Sequence, residues 1–161
     1  MEFAIYTEMF IRLSVAMLLG VLLGAERITA GKTAGMRTHA LVSMGSALFV
    51  IVSVLVSAEF IEKGAVNFDP LRVAAQIVTG IGFLGAGLII FTGSKLRGLT
   101  TAAGLWVAAG IGMAAGFGYY VIAIFVTAIT LLVFTLLWYV ERSIKKWSKN
   151  YAAKKKATEQ D

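Results

Sequence analysis

A chain of 161 residues that is 58% hydrophobic and 15% charged, with a mean hydropathy of +0.82, has more apolar sequence than a soluble core of this size holds. That points to several membrane spans. It has no cysteine and a single histidine, His39, which excludes a disulfide framework, a thiolate nucleophile and a cysteine- or histidine-rich metal cluster. The formal net charge of +6 is distributed as expected for a membrane surface rather than for nucleic acid.

Glu2 and Glu8 precede the first base, so the start lacks the basic segment of a cleaved signal peptide. Five apolar stretches then follow, at about residues 9–25, 38–58, 71–91, 99–116 and 119–140. Each is expected to be an α-helix, because an unpaired backbone amide in hydrocarbon costs several kcal/mol. The expected fold class is all-α and polytopic. It is a compact bundle of five transmembrane helices over residues 1–141, followed by a basic cytoplasmic tail over residues 142–161.

At about 100° per residue the first span sets Arg12, Ala16, Leu19, Leu23 and Glu26 on one face. The second opens at Thr38-His39, where His39 reads as a helix-start hydrogen-bonding group. Asp69-Pro70 begins the third, with a capping carboxylate followed by a proline suited to the first turn. Asp69 is also placed to pair with Arg72, one turn on.

The third span contains Gly80-Ile-Gly82-Phe-Leu-Gly85, a match to the dinucleotide pattern GxGxxG. That pattern needs a strand before it, a helix opening at it and an acid about 20 residues later. Here the glycines lie within a bilayer-length run, and the next acid is Glu141. They therefore read as packing residues.

Arg72, Ala75, Gln76, Thr79, Gly82, Phe83 and Ala86 share one side of this helix, and Val73, Ile77, Ile81, Leu84 and Leu88 share the other. The first is the expected contact side, since helices associate in lipid through small residues and polar links. A short polar break at residues 92–98 leads to the fourth span. There Thr101, Gly104, Ala108, Gly112 and Ala115 form one small stripe. Spans three and four are thus expected at the tight centre, packed through Gly80, Gly82, Gly85, Gly104, Ala108 and Gly112.

After the fifth span, Ile144, Trp147 and Tyr151 recur among lysines, which predicts an interfacial helix on anionic lipid head groups. Charge then sets orientation. Arg27, Lys32 and Arg37, then Lys95 and Arg97, then the seven bases from Arg142 to Lys156 lie on one side. Lys63, Arg12 and Arg72 lie on the other. Twelve against three places the N-terminus outside and the C-terminus in the cytoplasm. Arg12, Gly20 and Arg37 also recur sixty positions later as Arg72, Gly80 and Arg97, a weak sign of a parallel repeat.

Charged groups near the hydrocarbon fall into two sets, and such groups usually face a bundle interior or cavity. The inner set is Glu26, Arg27, Arg37, His39 and Arg97, with Thr38, Thr100 and Thr101 beside them. The outer set is Arg12, Asp69, Arg72 and Gln76, with Glu59 and Glu62 within reach. Arg27 and Lys95 read as snorkelling anchors. Glu26 and Asp69 lie at opposite ends of the membrane, each with arginine neighbours, which does not suit a divalent-cation cage. The inner arginines suit an anion or a partner's carboxylate better. No catalytic constellation and no cofactor motif is apparent, so an enzyme is not expected.

Ala25-Glu-Arg27, Gly35-Met-Arg-Thr-His-Ala40, the run from Asp69 to Gly87 and Arg97-Gly-Leu-Thr-Thr-Ala-Ala-Gly-Leu-Trp106 together resemble the MgtC/SapB family of bacterial inner-membrane proteins, over about residues 10–140. The resemblance implies five transmembrane helices with a periplasmic N-terminus. It also implies a role in growth under magnesium limitation and, in pathogens, in survival inside macrophages. Regulation of other membrane proteins, such as the proton-driven ATP synthase or phosphate uptake, is the mode it suggests. The alternative is a small Mg²⁺ or phosphate carrier acting as a homo-oligomer. The virulence-associated members continue into a cytoplasmic domain where this chain has only its basic tail, so the chain is expected to be either a short form or part of a longer protein. Glu26, Arg37, Thr38, His39, Asp69, Arg72, Gln76, Gly80, Gly82, Gly85, Arg97, Thr100, Thr101 and Trp106 occupy the family's motif positions.

Overall fold

A computed structural model describes residues 2–62 and 69–158. In chain order it comprises α1 (Glu2–Thr29), α2 (Met36–Glu62), α3 (Leu71–Leu88), the strands β1 (Ile90–Thr92) and β2 (Lys95–Arg97), α4 (Leu99–Gly116) and α5 (Tyr120–Thr158). All five helices are long and apolar enough to cross a membrane, and the chain is an all-α membrane protein. The helices overrun the expected spans at several ends, because apolar length marks only the part of a helix that lies in hydrocarbon.

The polar break after the third span is a β-hairpin. Ile90 pairs with Arg97, Phe91 with Leu96 and Thr92 with Lys95, antiparallel. Gly93 at φ +60° turns it in two residues, as hairpin turns with glycine first require. Gly98 at φ +91° then starts α4, pressed so closely on the Leu88 carbonyl that a Cβ has no room.

The centre differs from expectation. α4 packs against every other helix, and α2 lies between α1 and α4. A Cβ at Gly20 of α1 would come within 2.6 Å of the His39 carbonyl, and Gly24 is pressed against the Met36 backbone. On α4, Gly112 meets the Ser43 carbonyl, and a Cβ at Gly116 would stand 2.8 Å from that of Ala47. These two glycine seams grip the first half of α2. Around them Ala16, Leu19, Leu23, Ala47, Ala108, Ile111 and Ala115 form the main core.

By contrast, α3 is peripheral: 11% of its span is buried against 50% for α4. Its inward side is Ile77, Ile81, Gly85 and Leu88, set against Leu105 and Ala109 of α4. The expected contact side is therefore reversed. Gly80 and Gly82 have nothing within 4 Å, while Gly85 touches Ala102. The seams of α1 and α4 already fill the centre, so α3 meets the bundle with its bulky aliphatic side. The sixty-residue repeat has no counterpart in packing, since Gly20 is clamped and Gly80 is open.

The fifth helix continues into the tail. α5 runs unbroken for 39 residues, roughly 58 Å at about 1.5 Å per residue. That is longer than a hydrocarbon core of about 30 Å. A pair between Glu141 and Lys145, 3.6 Å apart, lies across the boundary between the fifth span and the tail. The expected tail residue Tyr151 has a described backbone only.

Candidate functional site

The face of α1 anticipated from periodicity is buried through Ala16, Leu19 and Leu23, with a charged group at each end. At the N-terminal end the Arg12 guanidinium donates to the Gly116 carbonyl at 3.0 Å and to Glu8 Oε1 at 3.0 and 3.2 Å. Tyr120 OH lies 3.5 Å from the same carboxylate oxygen. Arg12 thus ties α1 to the α4–α5 turn. Between the two ends the face is apolar, with Ala16, Leu19 and Leu23 packed into the main core.

At the C-terminal end Glu26 accepts from Arg27, the next residue. Arg27 is 2% exposed, and its guanidinium lies 3.4 Å from the centre of the Phe134 ring on α5. One expectation changes here. Arg27 is no snorkelling anchor, since α5 covers it. Glu26 is paired with Arg27, whereas Arg97 stands exposed on β2. Position after Glu26 carried no signal for this burial; only the approach of Phe134, 107 positions away in sequence, creates it.

His39 is fully buried. Its Nδ1 lies 3.0 Å from the Gly35 carbonyl and so carries the donated hydrogen, which leaves Nε2 an acceptor. Nε2 and the Ser43 hydroxyl, one turn further along α2, are buried without a protein partner among the described residues. Ser43 was not anticipated; its place four residues after His39, on the same face of the helix, was the available signal. Gly104 makes room for this ring: a Cβ there would lie 3.3 Å from His39 Nε2 and 3.0 Å from Phe134. Thr101 is buried nearby on α4, and Ala108 is buried along the same stripe.

The other expected inner residues do not join this core. Arg37, Thr38 and Thr100 are exposed. In the outer set, Asp69 Oδ1 accepts the Leu71 amide at 2.9 Å, which satisfies a first-turn donor of α3 as its sequence position suggested. Arg72 and Gln76 lie on the exposed side of α3. The side chain of Glu62 lies outside the described residues. Among the described residues no three His, Cys, Asp or Glu side chains converge as a metal site. The arrangement offers buried ion pairing and hydrogen-bond acceptors at one end of the bundle, and an uncovered polar face on α3.

The profile of the MgtC family matches residues 13–143. The chain is 45% identical over 144 residues, 89% of its length, to a protein of Escherichia coli K12 named "Putative magnesium transporter YhiD", and covers 66% of that protein. It is 50% identical over 93 residues, 58% of its length, to Protein MgtC of Salmonella typhimurium, covering 36% of it. It is 47% identical over 98 residues, 61% of its length, to slr0014 of Synechocystis, covering 38%. The chain thus spans less than two thirds of these relatives. No solved structure matches. With five spans on the page and the match running from α1 into α5, the chain belongs to the MgtC family.

Proposed function

We propose that this chain supports adaptation to low magnesium by binding and regulating other membrane proteins through the outward side of α3, with its N-terminus periplasmic and C-terminus cytoplasmic. The observation that carries the reading is what α3 leaves uncovered. Gln76, Thr79, Gly80, Phe83 and Gly87 are exposed on the side away from α4. An amide such as Gln76 is costly in hydrocarbon without a partner. Open glycines at Gly80 and Gly87 let another backbone approach closely. A wall meant only for lipid gains from neither feature, whereas a helix-binding wall gains from both.

The carboxylates support a contact role as well. Glu8 is held by Arg12 and Glu26 by Arg27, so both are already neutralised by arginine. The magnesium connection follows the name of the Escherichia coli relative. That name also favours a second reading, a small Mg²⁺ carrier acting as a homo-oligomer, with phosphate as the other ion its arginines would suit.

Flux in liposomes and growth in low magnesium distinguish the two. Purified protein is expected to give no Mg²⁺ or phosphate flux above empty vesicles. Gln76→Leu with Gly80→Leu is expected to fold with unchanged thermal stability yet lose the growth benefit and any partner captured by crosslinking on α3. Robust flux of either ion, lost on replacing Glu26 or Asp69, would overturn regulation in favour of transport.

A further inference from the structure

We infer that the cleft between α4 and α5, at the end of the bundle bearing the α1–α2 loop, binds one anionic phospholipid, with its acyl chain along the helices and its phosphate beside Arg27 and Lys32. This does not depend on the α3 reading. The cleft encloses about 370 Å³. Ile129, Val133 and Leu137 line one wall on successive turns of α5, a strip roughly 12 Å long at about 1.5 Å per residue. Ala103 and Val107 of α4 line the other. Ile129, Val133 and Leu137 are all exposed on the outside of the bundle, so a ligand enters from the hydrocarbon.

At one end the lining turns polar, with Arg27, Lys32 and Thr100. Arg27 is clamped between Glu26 and the Phe134 ring, which fixes its guanidinium in the wall and offsets its charge. Glu141 on the rim is paired with Lys145. Among the described residues that line the cleft, Lys32, exposed in the loop, is then the unbalanced charge, and it matches a head group carrying one negative charge. The level is right for a head group too. Trp138 on the rim is half-exposed, with Arg142 5.3 Å above its ring, and such amphipathic rings mark the membrane–water interface. An apolar channel that ends at a cation suits a chain-bearing anion. Inorganic phosphate fills only the end, and an uncharged lipid leaves Lys32 unanswered.

The test uses the full purified chain in detergent, with thermal unfolding and native mass spectrometry. The added probes are phosphatidylglycerol, phosphatidylcholine or inorganic phosphate. Phosphatidylglycerol is expected to raise the unfolding midpoint and to remain bound at one per chain; the other two should do neither. Lys32→Gln should weaken that retention about fivefold, the share of one lysine at a membrane surface, while Lys146→Gln on α5 should leave it unchanged. Val133→Trp should fill the cleft and abolish retention. Should that variant fail to fold, the exposed Lys32 still decides the matter. Equal retention of the two lipids, or equal loss in the Lys32 and Lys146 variants, would show diffuse attraction and overturn the site. Stabilisation by inorganic phosphate alone would reassign it to a free anion.

Discussion

Arg27 follows Glu26 directly, in a position where a helix turns consecutive side chains about 100° apart, and yet the two are joined and covered together by α5. Removing one member of a buried pair leaves a charge with no counterion, at a cost of about 3–5 kcal/mol. Arg27→Ala is therefore expected to lower the thermal unfolding midpoint sharply in detergent. Arg27→Ala with Glu26→Gln should recover part of the loss, because the stranded charge is gone. Arg97→Ala, on the exposed hairpin, should shift stability by no more than about 0.5 kcal/mol. Equal damage from Arg27→Ala and Arg97→Ala would defeat the pairing described here.

Among the elements, helix faces are where the physical argument is sharpest. Small residues on a membrane helix invite close approach, but an invitation does not say which neighbour accepts it. On α4 the stripe of Gly104, Ala108 and Gly112 meets His39, Phe134 and the Ser43 backbone. On α3 the glycines meet open space, and aliphatic side chains make the contact. Gly112→Ala should thus cost about 1–3 kcal/mol through overpacking. Gly82→Ala should be neutral or stabilising by up to about 1 kcal/mol, since alanine is the better helix former. Unfolding midpoints of the two variants provide the comparison, and a similar loss in both would reverse the assignment of faces. The hairpin shows the same division at shorter range. Gly93-Ser94 between Ile90–Thr92 and Lys95–Arg97 is a turn signal, but in an apolar context it read only as a break.

At the scale of the whole molecule, the proposed orientation rests on basic residues gathered at one end of the bundle. The β-hairpin belongs to that end and the α4–α5 turn to the other. In intact spheroplasts, a single cysteine at Tyr119 should react with an impermeant thiol reagent and one at Ser94 should not. The opposite pattern would invert the orientation, while leaving the fold unchanged.

Apolar length, the need to satisfy backbone amides in lipid and the placement of lysine and arginine are local or additive properties. They determine from sequence alone that the chain has five helices and where each broadly lies. The hydrogen bond from the Leu71 amide to Asp69 at the start of α3 and the buried face of α1 are legible for the same reason, because each depends on one helix, although the capping position itself falls one residue later than expected, at Pro70. Which helices meet is a joint property of all five. Tertiary structure alone placed α2 between the seams of α1 and α4, moved α3 to the edge, buried Arg27 under Phe134 and opened the cleft beside α5. Each of these outcomes is a competition among surfaces of similar apolarity. In lipid such surfaces are separated by how closely their backbones can approach and by which polar links they can form.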